Sequence, residues 1–124
     1  MNDNIPKKLL QETKRVLIEK GWTQGSFAKT ADAFPVNWSS EDAVSFCLMG
    51  AFNRASHDLL MGDYGDEYYD ARRAAVRVVC AVIDDGHYRD DDGHEIHTIL
   101  GFNDVVAKTR DDVVTLLEKA EARL

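Results

Sequence analysis

The chain contains no apolar run that approaches the roughly 18–20 residues needed to span a bilayer. Its first residues also lack a basic segment leading into an apolar one, which is the pattern of a secretory signal. We therefore expect a protein that does not enter a membrane and that works in the cytoplasm. A length of 124 residues is that of one domain, and we expect residues 1–124 to form it.

The motifs of several function classes are missing as well. No glycine-rich segment leads into a Lys-Ser/Thr pair, so nothing in the sequence indicates a phosphate-binding loop. No basic patch is interleaved with aromatic residues, and residues 63–95 carry ten acids against four arginines, which would repel a nucleic-acid backbone. We expect neither a nucleic-acid partner nor a cofactor.

Cysteine is scarce. The two cysteines, Cys47 and Cys80, both stand among apolar residues at helical spacing. In a cytosolic chain of this size, that pattern is typical of buried, reduced thiols rather than of a disulfide. We expect both side chains to pack as small apolar groups.

What the sequence does contain is helical periodicity, because apolar residues recur every three to four positions in four segments. The first predicted helix begins near Ile5, with Pro6 in its first turn and Gly21 just past its end. The last predicted helix follows Thr109 and Asp112, whose spacing is that of a capping box.

The second helix is predicted to begin at a cap on Ser39 or Ser40 and to run to about residue 56, which places Cys47 about two turns inside it. Gly50 on its inner face would let another helix approach closely. The third helix is predicted over about 66–83, and we expect its last part to lie at the centre of the domain because that part is apolar nearly all round.

Two connections complete the expected architecture. The segment from Trp22 to about Trp38 has no helical pattern, and its aromatic residues, which include Phe27 and Phe34, are expected to hold it against the core. A second capping-box spacing predicts a short helix over 93–101, with a strand over 96–102 as the alternative. The expected fold is all-α: a compact single domain of four main helices and one short helix, with a long aromatic-anchored loop after the first helix.

Four short motifs give the chain a family likeness. They are Gly21-Trp22-Thr23-Gln24-Gly25, Phe46-Cys47-Leu48-Met49-Gly50-Ala51, Phe102-Asn103-Asp104 and Thr109-Arg110-Asp111-Asp112-Val113. In this order they resemble a family of small bacterial and phage proteins known as a domain of unknown function, whose members read Gly-Trp, Phe-Cys-Leu-x-Gly-Ala, Trp-Asn-Asp and Thr-x-x-Glu-Val. The chain differs at Phe102, where the family has Trp, and in the acids at 90–92. The resemblance implies no activity, cofactor or catalytic residue.

Cys47 is the strongest candidate for catalysis. With His94 or His97 and with Asn103 or Asp104, it supplies the residue types of a Cys-His-Asn/Asp hydrolase or transferase in that chain order. A reactive thiol needs a lowered pKa, from a helix N-terminus or a histidine, and a position two turns inside a helix does not provide the former. The sequence therefore favours a buried packing cysteine.

The other polar candidates also have structural interpretations. Asn103 and Asp104 can hold a substrate or a partner's backbone, but both residue types favour turns, so we expect a turn that sets the last helix. His94 and His97 at this spacing can ligate one metal together with a carboxylate. Because the spacing matches neither an EF-hand nor a HExxH helix, a solvated acidic loop is favoured and no metal is expected.

The net charge of −7 is uneven along the chain, with −6 in residues 63–95 and +2 in residues 1–20. We expect the acidic region to bind a protein partner with a basic surface in a non-enzymatic role, for example as a phage-encoded inhibitor of a bacterial defence or regulatory protein. The residues predicted to make this contact are Asp84, Asp85, Asp90, Asp91, Asp92, Tyr64 and Tyr68. The rival hypothesis is the thiol-dependent enzyme, and the oligomeric state stays open.

Overall fold

A computed structural model describes residues 4–60, 66–83 and 95–124 of the chain. The elements along these ranges are α1 (Ile5–Glu19), β1 (Ala28–Lys29), β2 (Pro35–Val36), β3 (Ser45–Phe46), α2 (Leu48–Leu60), α3 (Asp66–Ile83), α4 (Glu95–Gly101), a π-helix (Phe102–Val106) and α5 (Arg110–Glu121). The chain is mostly helical with a small antiparallel sheet, so it is mainly α rather than all-α as predicted. Within the described ranges, no helix is both long and apolar enough to cross a membrane.

α1 packs against α2, α3 and α5. Its buried stripe matches the predicted apolar spacing and consists of Leu9, Leu10, Thr13, Val16 and Leu17. Since the last part of α3 is only half-buried at Val78, Val82 and Ile83, the central position that was expected for it belongs to α1.

An ion pair and a hydrogen bond join α1 to the end of α5. Gln11 Nε2 donates to Glu121 Oε1 at 2.8 Å, and Lys14 Nζ lies 3.3 Å from Glu121 Oε2. The hydrogen bond from Gln11 and the charge of Lys14 hold the pKa of Glu121 below its ordinary value. These contacts hold α1, the first helix, against α5, the last.

The segment between α1 and α2 forms a three-stranded sheet, whereas a loop was predicted to about Trp38 and the second helix after it. Ala28 of the central strand β1 pairs with Val36 of β2 and with Phe46 of β3, both antiparallel. Strands of two residues are too short to produce a recognisable alternation of apolar and polar residues. The sheet was missed for that reason.

The aromatic residues of this segment do not all pack inward. Trp22 and Trp38 lie partly buried against the core, as expected. Phe27 and Phe34, in contrast, are exposed by 41% and 67%. The expectation that all four residues anchor the segment is wrong for these two.

The helix predictions after residue 60 agree better with the structure. The third helix has the predicted bounds, and residues 95–101 are helical rather than extended. The capping box of α5 is present, since Thr109 Oγ1 accepts from the Asp112 amide at 3.3 Å and Asp112 Oδ2 accepts from the Thr109 amide at 3.2 Å. The predicted box before α4 includes Asp92, which lies outside the described residues.

The prediction for the second helix is wrong at its N-terminus, because α2 begins at Leu48. Ser40 caps a turn instead, with its Oγ accepting from the Asp42 amide at 3.1 Å. Residues 45–46 are held in β3 by their pairing with β1, so the local helical pattern is overridden. Cys47 consequently precedes the first residue of α2 and is not inside the helix.

Gly50 is required by the backbone of the segment that leads into β1, and not by a neighbouring helix as expected. A Cβ atom on Gly50 would lie 2.0 Å from the carbonyl oxygen of Phe27. That oxygen also accepts from the Cys47 amide at 3.1 Å, so it cannot move away without losing the bond. The close approach ties the sheet to the start of α2.

We predict that Gly50→Ala lowers the free energy of unfolding by about 1–3 kcal/mol or more, because the added methyl group meets backbone atoms. The matched control is Gly101→Ala, which lies in α4 where a Cβ would meet nothing within 4 Å. The control should be neutral or stabilising by up to about 1 kcal/mol, since alanine favours a helix. Urea unfolding of both variants measures the difference, and equal effects would contradict the close approach.

Candidate functional site

Three of the four sequence motifs meet at the side chain of Asn103, which has no exposed surface. Its Oδ1 accepts from Trp22 Nε1 at 2.7 Å and from the Leu48 amide at 2.9 Å. Its Nδ2 donates to the carbonyl of Thr23 at 3.1 Å and to Asp104 Oδ1 at 2.8 Å. An asparagine side chain has two acceptor and two donor positions, so all of its hydrogen-bonding capacity is used.

Gln24 and Gly25 extend this network along the π-helix. Gln24 Nε2 donates to the carbonyls of Asn103 and Ala107 at 2.9 and 3.1 Å. The Gly25 amide donates to Asp104 Oδ1 at 3.0 Å. The segment after α1 is therefore bonded to a helix about eighty residues further along the chain.

The π-helix explains why carbonyl groups are available to Gln24. The Ala107 amide donates to the carbonyl of Phe102 at 2.8 Å, five residues back, where an α-helix would use the carbonyl four residues back. The wider turn leaves carbonyl groups available, and the side chain of Gln24 donates to them. Short π-helices occur frequently at functional sites.

The turn predicted at Asn103 and Asp104 is therefore wrong. The bonds of the Asn103 side chain to Leu48 and Trp22 cross 55 and 81 residues of the chain, whereas the prediction assumed bonds to its own neighbouring backbone. The Leu48 amide is one of the first N–H groups of α2 and has no partner within that helix, so Asn103 caps α2 from a distant segment.

Cys47 lies at the start of α2. Its Sγ accepts from the Gly50 amide at 3.2 Å, and the residue is only 1% exposed. Burial raises the pKa of the Cys47 thiol, and the negative charge of Asp104 raises it further, while the amides of Gly50 and Met49 act in the opposite direction. The thiol is thus in its neutral form near neutral pH.

The histidines proposed as partners for Cys47 or as metal ligands are not brought together by the described part of the chain. His97 is on α4 with its side chain exposed, and His94 lies outside the described residues. Among residues 4–60, 66–83 and 95–124, no group of three His, Cys, Asp or Glu side chains converges as it would around a metal ion.

The residues predicted to contact a protein partner lie mostly outside the described ranges. Tyr64 and the acids at positions 84, 85, 90, 91 and 92 belong to the segments 61–65 and 84–94, and Tyr68 is in α3 with its side chain outside the described part. Their role in binding stays a prediction.

A recess of about 140 Å³ lies beside Cys47. It is lined by Gly25, Ser26, Phe27, Cys47, Leu100 and Asp104. Ser26 Oγ is buried and, among the described residues, has no hydrogen-bond partner. Ser26 could not be found from the sequence, because a lone polar side chain in an irregular segment carries no pattern. Gln24 belongs to the first motif, but nothing in that motif indicates its bonds to the π-helix.

A larger groove of about 370 Å³ lies between α3, the π-helix and α5. Its lining is partly apolar, from Val82, Ile83, Phe102, Val106, Ala107 and Leu116, and partly polar, from Asp112, Thr115 and Lys119. Leu100 and Asp104 line the recess, whereas Phe102 and Val106 line the groove. α4 continues directly into the π-helix, and these two pairs of residues alternate along it. The recess and the groove therefore lie on two sides of this continuous helix.

The described part of the chain is mainly helical, and one buried asparagine joins three of its segments by hydrogen bonds. The profile of the family described as a family of unknown function (DUF6197) matches residues 1–123, so the chain belongs to that family, and the predicted membership of a family of unknown function is confirmed. No curated protein and no solved structure is significantly similar to the chain.

We predict that iodoacetamide alkylates Cys47 in the folded protein at least about tenfold more slowly than in the unfolded chain, because the thiol is buried and neutral. Cys80, which has no exposed surface, is the internal control and should be equally slow. Peptide mass spectrometry over a time course measures both rates. Labelling of Cys47 that is much faster than that of Cys80 at neutral pH would contradict the buried, neutral thiol.

Proposed function

We propose that the chain is a non-enzymatic protein-binding module whose partner presents a basic surface. The observation that carries this proposal is the exposure of Val105 and Val106, which are 70% and 60% accessible on the π-helix although both are apolar. Val106 also lines the groove. Exposed apolar side chains beside a concave surface with a partly apolar lining are typical of sites that bind other proteins.

The network behind these valines supports a preformed binding surface. Asn103 and Gln24 bond the π-helix from the inner side, while Val105 and Val106 lie on the outer side. A surface that is already held in one conformation loses little conformational entropy when a partner binds. The unusual helix is then the element that presents the partner-contacting residues.

The distribution of charge supports a basic partner. Ile83 lines the groove and is followed in the chain by Asp84 and Asp85, within the region that carries −6. Acidic residues near an apolar contact favour partners of opposite charge and increase the rate of association. In the specific version of the proposal, a phage-encoded protein of this kind inhibits a bacterial defence or regulatory protein.

Two of the candidates for catalysis, Asn103 and Cys47, are bonded or buried within the protein, which also supports a binding role. The four hydrogen-bonding positions of Asn103 are used within the protein. The Cys47 thiol is buried and its pKa is raised. A nucleophile and its orienting amide would need at least one free position toward a substrate.

One observation favours a second candidate function, a thiol-dependent hydrolase or transferase. Because α2 begins at Leu48, Cys47 is at a helix N-terminus, where the pKa of a thiol can be lowered. His94 or His97 would then serve as the base, and Asn103 or Asp104 would orient it. The alkylation comparison of Cys47 with Cys80 distinguishes this candidate from the first.

The binding proposal is tested on a partner that is captured from bacterial cells, identified, purified and then titrated against variants by calorimetry. We expect Val105→Asp with Val106→Asp, and separately Asp90→Lys with Asp91→Lys and Asp92→Lys, each to weaken binding at least about tenfold. The first pair places charge in the apolar contact, and the second set reverses the charge that attracts the partner.

The matched control combines Asp32→Lys, Glu41→Lys and Asp42→Lys, at exposed positions in the segment between α1 and α2. It changes the net charge by the same amount as the variant at positions 90–92. We expect this control to bind within about threefold of the unchanged chain at moderate salt. Equal losses in the control and the acidic variant, or no loss with either site variant, would overturn the proposal.

A further inference from the structure

The recess beside Cys47 combines apolar walls with a charged outer edge. Phe27 and Leu100 supply apolar surface, and Cys47, which is almost fully buried, lies at the inner end. Asp104 is exposed and lies at the outer edge. A side chain with an apolar stem and a polar end matches such a distribution.

The carboxylate of Asp104 is fixed in orientation. Its Oδ1 accepts from the Gly25 amide at 3.0 Å and from Asn103 Nδ2 at 2.8 Å. In the described part of the chain, no donor is bonded to the second oxygen, Oδ2. A carboxylate held in this way offers an oriented acceptor to a charged N–H group, which forms stronger and shorter hydrogen bonds than a neutral donor.

The start of α2 faces the same recess, and a helix N-terminus ordinarily favours anions. Here two of its first three N–H groups already have acceptors within the protein. The Leu48 amide donates to Asn103 Oδ1, and the Gly50 amide donates to Cys47 Sγ. Among the described residues that line the recess, Asp104 alone carries a formal charge. The recess is therefore matched to a cation rather than to an anion.

Ser26 also lines the recess, but its Oγ has almost no accessible surface. The polar contact that the recess offers to an entering group is therefore the carboxylate of Asp104.

We infer that the recess receives a lysine or arginine side chain of the protein partner. The stem of that side chain packs between Phe27 and Leu100, and its charged end bonds to Asp104. The inference rests on the proposed function and names the kind of residue that the partner contributes. With the groove on the other side of the same helix, a partner would contact both sides of the π-helix.

The test uses amino-acid amides as probes and does not need the partner. N-acetyl-arginine amide and N-acetyl-lysine amide are titrated into the ¹⁵N-labelled full chain, and the backbone amides of Gly25, Phe27 and Cys47 are followed by NMR. We expect saturable shifts at these amides with at least one of the two cationic probes. N-acetyl-norleucine amide, which keeps the stem but lacks the charge, should bind about tenfold more weakly.

Asp104→Asn is the site variant, since it keeps an oxygen acceptor for Gly25 and Asn103 while it removes the charge. We expect it to weaken cation binding about tenfold, with the salt dependence of binding reduced. Asp42→Asn, at an exposed position outside the recess, should leave the probe affinity unchanged. Equal binding of the norleucine and cationic probes, or no shifts at the recess, would overturn the inference.

Failure of the inference can be separated from failure of the proposed function. If the cationic probes bind but charge reversal and the valine variants leave partner binding intact, the protein-binding surface is misassigned while the recess keeps its cation preference. If the partner binds through the groove but Asp104→Asn leaves both partner and probe affinity unchanged, the recess inference alone fails.

Discussion

The structure depends on a single buried amide. Asn103 bonds to the indole of Trp22, to the first amide of α2, to the carbonyl of Thr23 and to its neighbour Asp104. These bonds join three segments that are far apart in the chain. Because a buried amide with unpaired positions would be costly, each segment is held to one position relative to the others.

Several features follow from this constraint. α2 begins where Asn103 can cap it, which places Cys47 at the helix start and in contact with the Gly50 amide. The helix around Asn103 widens to a π-helix, and its carbonyls accept from Gln24. Val105 and Val106 lie on the outer side of that turn and are exposed. The same bonds that complete the core therefore support the proposed binding surface.

The parts of the fold that depend on neighbouring residues could be predicted from the sequence. The apolar stripe of α1 and the capping box of Thr109 and Asp112 are local patterns, and the structure has both. The start of α2 could not be predicted, because the pairing of Phe46 with Ala28 and the cap from Asn103 are contacts between distant segments. The motifs contain most residues of the buried network, but the sequence favoured a packing cysteine and a turn for them, because the bonds between distant segments are visible only in three dimensions.

The most direct test of this account is the free energy of unfolding of Asn103→Asp as a function of pH, compared with Asn37→Asp at an exposed position. The substitution removes the side-chain N–H groups that donate to Thr23 and Asp104. It also places a buried carboxylate next to the carboxylate of Asp104. Burial and the neighbouring charge raise the folded-state pKa of the new carboxyl above its unfolded value of about 4, so stability is lost as pH rises above that value. For Asn103→Asp we expect a loss of about 3–5 kcal/mol in the free energy of unfolding at neutral pH and a smaller loss near pH 4. For Asn37→Asp we expect a change within about 0.5 kcal/mol. Equal stability of the two variants at neutral pH would contradict the central role of Asn103.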